Sequence, residues 1–332
     1  MQMERSGDMK EKEIDTGNIK HAAQKDVNVC FTSCTLCPRM CRVNRLEGQR
    51  GYCRESAELV VARAALHMWE EPCISGQTGS GTVFFSGCSV GCIFCQNSSI
   101  ASGKSGRVIS AERLAEIFLE LQEAGANNIN LVTPAHYVPW IIRALDLAKR
   151  QGLVLPVVYN TGGYERRETL RMLEGYVDIY LPDLKYLDSG LAKEYSNAPD
   201  YPEYAREAIG EMVSQVGEPV FEQGSGLIRK GVIVRHLVLP GHVRNSKAVL
   251  KYLYETYGNR IYISIMSQYT PMPHMKEHPL LGRKITRREY DKVVSYALEL
   301  GIENAFIQEG DTAKESFIPA FDGEGVETSA NW

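Results

Sequence analysis

The sequence predicts an α/β fold: a partial (β/α)6 TIM-type barrel with a small cysteine-rich module at its N-terminus. Three observations predict it. Short β-branched or aromatic runs alternate with longer amphipathic stretches, which argues for parallel strands joined by crossover helices. Four cysteines fall between positions 34 and 53. Three more follow directly on the first strand of the alternating region, at the strand end where such barrels place their chemistry.

The elements follow in order. Residues 1–28 are polar, with charges of both signs and no apolar core, so they read as a disordered tail rather than an export signal. Residues 29–81 form the cysteine-rich module, Val29 to Glu58, and a bridge, Leu59 to Gly81, whose end is rich in glycine. The barrel is assigned to 82–322 and a short C-terminal tail to 323–332. Strands are expected at 82–86, 128–133, 155–160, 177–182, 231–239, 261–265 and 304–308. Helices are expected at 110–124, 137–151, 166–174, 202–216, 245–257 and 286–300. Ser110 before Ala111-Glu112-Arg113 reads as an N-cap, and Gly125 as a stop. The longest connection, Gly190 to Val220, carries Tyr195, Tyr201 and Tyr204 and reads as a lid or substrate-facing insertion.

Composition bounds the function. The 332 residues are 44% hydrophobic and 23% charged, enough for a large core. A formal net charge of −4 with no broad basic field argues against nucleic acid as a partner. No apolar run approaches the length of a membrane span. Nine cysteines without an export signal read as metal or cluster ligands in a reducing cytoplasm.

The segment Gly87 to Asn97 contains Cys88-x3-Cys92-x2-Cys95, with Phe94 just before the third cysteine. Three thiolates can hold three irons of a [4Fe–4S] cubane, which takes four ligands when closed. One iron is then left open to bind a further molecule. The competing reading is zinc, which usually takes four protein ligands in pairs; no fourth cysteine follows closely here. Cys34, Cys37, Cys41 and Cys53 suffice for a closed tetrathiolate site, filled by a second [4Fe–4S] cluster or by zinc. Arg39, Arg42, Arg45 and Arg50 lie among them, to offset thiolate charge, to dock an acidic electron donor, or simply as a solvated face. Cys30 is left over as a substitute ligand, and Cys73 reads as a small buried residue. His67 reads as structural; His136 stands beside a strand end.

The cysteine triplet resembles that of the radical S-adenosylmethionine (radical SAM) enzymes. Further along, Cys34-Thr35-Leu36-Cys37-Pro38-Arg39-Met40-Cys41, Tyr180-Leu181-Pro182-Asp183-Leu184-Lys185-Tyr186 and Val234-Arg235-His236-Leu237-Val238-Leu239-Pro240-Gly241 resemble the pyruvate formate-lyase activating enzymes, and the PflX-like branch in particular. The resemblance implies that Cys88, Cys92 and Cys95 hold the catalytic [4Fe–4S] cluster. It places SAM on the open iron and Phe94 near the adenine. Activating enzymes carry Gly-Gly-Glu at the second strand end to receive the SAM amine; here the stretch is Leu131-Val132-Thr133-Pro134-Ala135-His136, so Thr133 or backbone carbonyls stand in. Asn160 and Thr161 match the third strand end. Asp183 and Lys185 match positions near SAM and a monovalent-cation site, with Lys185 suited to the methionine carboxylate. Arg235 is expected to pair with that carboxylate or with Asp183, and Gln268 to contact adenine or ribose.

The resemblance also implies a reduced flavodoxin- or ferredoxin-type donor. It further implies a protein partner, such as a glycyl radical enzyme, whose glycine loses hydrogen. Two alternatives stay open: a radical SAM enzyme that modifies a small molecule or peptide, and a non-catalytic Fe–S or metal-binding protein.

Overall fold

The computed structural model describes residues 28–308 and 319–327. Apart from Asn28, the tail expected at 1–28 therefore lies outside the described residues, as does the end of the tail expected at 323–332. Ten strands occur among the described residues. They are β1 (Leu59–His67), β2 (Ser80–Phe85), β3 (Arg107–Ile109), β4 (Ile129–Val132), β5 (Val157–Thr161), β6 (Ile179–Pro182), β7 (Val220–Phe221), β8 (Ile228–Leu237), β9 (Tyr262–Met266) and β10 (Ala305–Ile307). They form one sheet in the order β10-β9-β8-β6-β5-β4-β2-β1-β3, with β7 pairing β8.

Along that order from β2 to β10 every neighbouring pair is parallel, while β7 joins β8 antiparallel. All seven expected strands are present, shifted by no more than three residues at an end. Every residue of β2, β4, β5 and β6 is buried, as strands covered on both faces must be, and this is why they read as unbroken apolar runs. The two edges, β10 and β3, do not pair with each other. The sheet curls but stays open on one side, the partial-barrel class expected.

The six expected helices are also present: α1 (Ala111–Glu123), α2 (Val138–Arg150), α3 (Arg167–Arg171), α4 (Tyr201–Val216), α5 (Val243–Tyr257) and α6 (Arg287–Leu300). Ser110 caps α1 by accepting from the Arg113 amide. Thr286 and Glu289 form a reciprocal capping box on α6. No helix among the described residues is long and apolar enough to cross a membrane.

Three expectations need correction. The bridge at 59–81 is part of the sheet. Its first half is β1, which pairs antiparallel with β2 from Val61↔Phe85 to His67↔Ser80, so the boundary at 81/82 cuts the sheet. The described part of the C-terminal tail docks on the other side of β1: Ala64 donates to the Glu324 carbonyl and Gly323 to the Ala62 carbonyl. Arg113 reaches the Val326 carbonyl, and Val326 is buried. The supposed lid at 190–220 is packed structure. It holds a short helix, Ser189–Ser196, and α4, with Tyr195 and Tyr201 fully buried.

His236 is buried at the end of β8. Its Nδ1 meets the Leu184 carbonyl at 2.7 Å and its Nε2 the Ser246 hydroxyl at 2.9 Å, which fixes the neutral ring with the proton on Nδ1. Burial pushes its pKa down to about 4. The unfolded chain takes up a proton near pH 6.5 that the folded chain refuses until about pH 4. Stability is therefore full above pH 6.5 and falls as the pH drops towards 4, by up to roughly 3 kcal/mol. Denaturant titrations across this range should give a shallower decline for His236→Gln than for the parent protein.

Candidate active site at the strand ends

The cysteine triplet sits in the loop that leaves β2. Gly87 turns it with φ +84°, where a Cβ would strike Glu55 and the Cys53 carbonyl. Gly91 turns it again at φ +70° against the ring of Tyr52. The Val90 amide lies 3.4 Å from Cys88 Sγ, and the Ser196 hydroxyl 3.3 Å from Cys92 Sγ. Burial, with the neighbouring thiols, pushes the Cys88 thiol up and the Cys95 thiol to about 12, so these groups need a positive partner to ionise.

All eleven residues expected around the barrel site line one cavity of about 250 Å³: Cys88, Cys92, Cys95, Phe94, Thr133, Asn160, Thr161, Asp183, Lys185, Arg235 and Gln268. Phe94 is wedged edge-on between Tyr195 and Tyr269. Thr133 closes β4 at φ +59°, a conformation that a β-branched residue rarely adopts. Its amide donates to the Asn160 carbonyl. Gln268 accepts from Gln308, and its carbonyl accepts from Gln96. Three cysteines on one cavity wall suit three irons of a cubane, each iron taking its own thiolate.

A partly buried ion network lies beside the cysteine loop. Arg235 donates from Nε to Asp183 Oδ1 at 3.0 Å, from Nη1 to Glu70 Oε2 at 3.2 Å and from Nη2 to Asn160 Oδ1 at 2.6 Å. Asp183 also pairs with Lys185. Burial opposes the Asp183 charge, but Lys185 and Arg235 outweigh it and hold the carboxyl below the usual range. Burial likewise opposes the Lys185 charge, and Asp183 reverses that, so the ammonium persists. Of the two partners expected for Arg235, the structure supplies Asp183.

Sequence reasoning missed two carboxylates here. Glu70, in the segment after β1, accepts from the Asn130 and Asn160 amides, each at 3.1 Å. Glu165 lines the same cavity, fully buried, bonded to the Thr161 and Tyr159 hydroxyls. Burial pushes its pKa up to about 7. Neither belongs to a periodic element that would have marked it. Tyr201, once assigned to a lid, donates to the Gly162 and Asp183 carbonyls, each at 2.9 Å, and braces the two strand ends.

The N-terminal cysteines are also brought together. Cys34, Cys37 and Cys53 are buried within electrostatic reach of one another. Cys41 accepts from the Tyr52 amide next to Cys53, at 3.2 Å. Two arginines expected on a solvated face or at a docking surface are structural. Arg45 is buried, donates to the Ser56 and His136 carbonyls and lies 3.8 Å from Cys34 Sγ. Arg39 grips the catalytic loop through the Ser89 and Val90 carbonyls and the adjoining turn through those of Ser196 and Asn197. His136 is buried and neutral, donating to the Ser86 carbonyl. Cys73 is a buried apolar residue as expected, and Cys30 packs against the Phe31 cluster.

Arg235→Met would leave Glu70 and Asp183 sharing a partly buried site with only Lys185 to offset them. Denaturant unfolding should show a loss of about 1–3 kcal/mol, below that of a fully buried pair, and Arg235→Lys should recover only part of it.

The model of the Radical SAM superfamily matches residues 82–253, just over half of the chain, and spans β2 to most of α5. A protein of Methanocaldococcus jannaschii described as uncharacterized is 27% identical over 284 residues, covering 82% of this chain and 76% of that one. Among solved structures, Streptococcus suis SuiB bound to S-adenosylmethionine is similar over 68% of this chain and 49% of that one, at 16% identity and TM-score 0.44. The FeFe-hydrogenase maturase HydG from Carboxydothermus hydrogenoformans is similar over 72% and 55%, at 13% identity and TM-score 0.48. The chain thus spans about half the length of these solved structures. With the cysteine triplet and its cavity inside the matched region, the chain belongs to the radical SAM superfamily.

Proposed function

We propose that this protein is a radical SAM enzyme that cleaves SAM reductively and uses the product to take a hydrogen atom from a substrate. One observation carries the reading. The three cysteines and the eight side chains expected to hold SAM line a single cavity at the C-terminal strand ends. Cys88, Cys92 and Cys95 would hold a [4Fe–4S] cluster, which would supply one electron for reductive cleavage of the SAM C–S bond to methionine and a hydrogen-abstracting 5′-deoxyadenosyl radical.

The chain's own residues do the rest. Lys185 offers the methionine carboxylate a fixed positive charge, already paired on its other side by Asp183. Glu165 is the one carboxylate on this cavity wall with no cationic partner among its hydrogen bonds, which suits it to a cationic group such as the SAM amine where Gly-Gly-Glu is missing. Phe94 supplies an apolar face for adenine, and Gln268 a polar edge. Tyr195 and Tyr269 keep Phe94 in place. The four-cysteine module takes either a second [4Fe–4S] cluster, relaying electrons from a reduced flavodoxin- or ferredoxin-type donor, or a structural zinc. Activation of a glycyl radical enzyme is the substrate reading that the Asp183-Leu184-Lys185 and Arg235-to-Gly241 resemblance favours. The open side of the sheet gives a partner's loop a way in.

The test is anaerobic. Reconstituted protein given SAM and dithionite should form 5′-deoxyadenosine, and Cys92→Ala should reduce that to background. A protein loaded with cluster and substrate that makes none would overturn the reading. Metal analysis of the same preparation decides the module: about eight irons per chain mean a second cluster, and about four irons with one zinc mean a structural site.

A further inference from the structure

On the open side of the sheet lies a second cavity, of about 590 Å³, bounded by the segment after β1, by β9 and by β10. It shares Asn160, Arg235 and Gln268 with the cysteine-lined cavity, so a molecule seated here lies next to the reacting centre. Its wall holds two successive carboxylates, Glu70 and Glu71.

Among the described residues three carboxyls, Glu70, Glu71 and Asp183, share two cations, Arg235 and Lys185, and burial pushes the Glu70 and Glu71 carboxyls up. Arg235 spends its hydrogen bonds on Glu70, Asp183 and Asn160, and Lys185 pairs with Asp183. Glu71 feels Arg235 only at a distance and takes a hydrogen bond from the Ser264 hydroxyl. It is 8% exposed, and among the described residues its Oε2 is buried with no hydrogen-bond partner. Asn130, which donates to Glu70, leaves its own Oδ1 buried and unpartnered as well. Buried acceptors are almost always satisfied. Two orphaned acceptors in one acidic cluster call for a donor that carries positive charge.

We infer that Glu71, backed by Glu70 and Ser264, binds a primary alkylammonium group of the substrate. An ammonium suits the site better than a guanidinium, because one free carboxylate oxygen accepts a point charge but not a two-pronged fork. The amine can belong to a lysine side chain or to a small molecule. This inference rests on the proposed radical SAM reading, since it places the amine-bearing carbon chain beside the cavity that would hold SAM.

The test uses anaerobic, reconstituted holoenzyme with SAM bound. Trp69 lines the cavity, so its fluorescence reports binding there. The probes are n-pentylamine and Nα-acetyl-lysine amide, with 1-pentanol and the Nα,Nε-diacetyl compound as neutral counterparts. Both amines should bind, with the lysine compound tighter if the substrate is a peptide and n-pentylamine tighter if it is a small amine. The neutral compounds should not bind. Glu71→Gln should weaken amine binding at least about tenfold, and Ser264→Ala about threefold, with SAM affinity unchanged in both. Equal binding of amines and neutral compounds, or equal binding by parent and Glu71→Gln, overturns the inference. Equal displacement by potassium ion overturns it in favour of a metal cation, and loss of SAM affinity in Glu71→Gln assigns the carboxylate to the cofactor instead. 5′-Deoxyadenosine is assayed in the same samples. Amine binding without SAM cleavage refutes the radical reading and keeps the site; cleavage without amine binding does the reverse.

Discussion

The site depends on one partly buried guanidinium and the set of partners that holds it. Arg235 ties the segment after β1 to β5 and to the end of β6 through Glu70, Asn160 and Asp183. A closed barrel could fill that space with aliphatic layers. An open one that must bind a zwitterionic cofactor instead carries a polar centre, and a polar centre is stable only when its partners are complete. Lys185 stands ready beside the cysteine loop because Asp183 holds it, and Asp183 is ionised because Arg235 and Lys185 keep it so.

A second dependence runs from the cysteine module to the loop. Arg39 holds the backbone of Ser89 and Val90, so the module fixes the conformation from which Cys88 and Cys92 project. Gly87 turns against the backbone of Cys53 itself. The folding of the module is thereby coupled to the geometry of Cys88, Cys92 and Cys95, so it acts on the site through structure.

The sequence made the parallel strands, the six crossover helices and the eleven cavity residues legible, because burial on both faces, helical period and cysteine spacing are local signals. It did not reveal β1. Leu59 to His67 is apolar but interrupted by Arg63, and its partner is an antiparallel strand met only in three dimensions. Glu70 and Glu71 carry no local signal, since nothing near them in sequence announces that they turn inward. Thr133 follows β4 at the cavity edge, and no sequence signal marks its left-handed backbone, which is held by tertiary contact with Asn160. Arg39 and Arg45 looked like solvated charges, because their acceptors are backbone carbonyls tens of residues away.

The measurement closest to the centre of this account is a SAM titration of the reduced, reconstituted protein followed by electron paramagnetic resonance. SAM should change the cluster signal of the parent protein at saturable concentration. Lys185→Met should need at least about tenfold more SAM for the same change, a cost of about 1.4 kcal/mol or more. A Lys185→Met protein that keeps its cluster and titrates at the parental concentration would contradict the claim that the strand-end charges hold the cofactor.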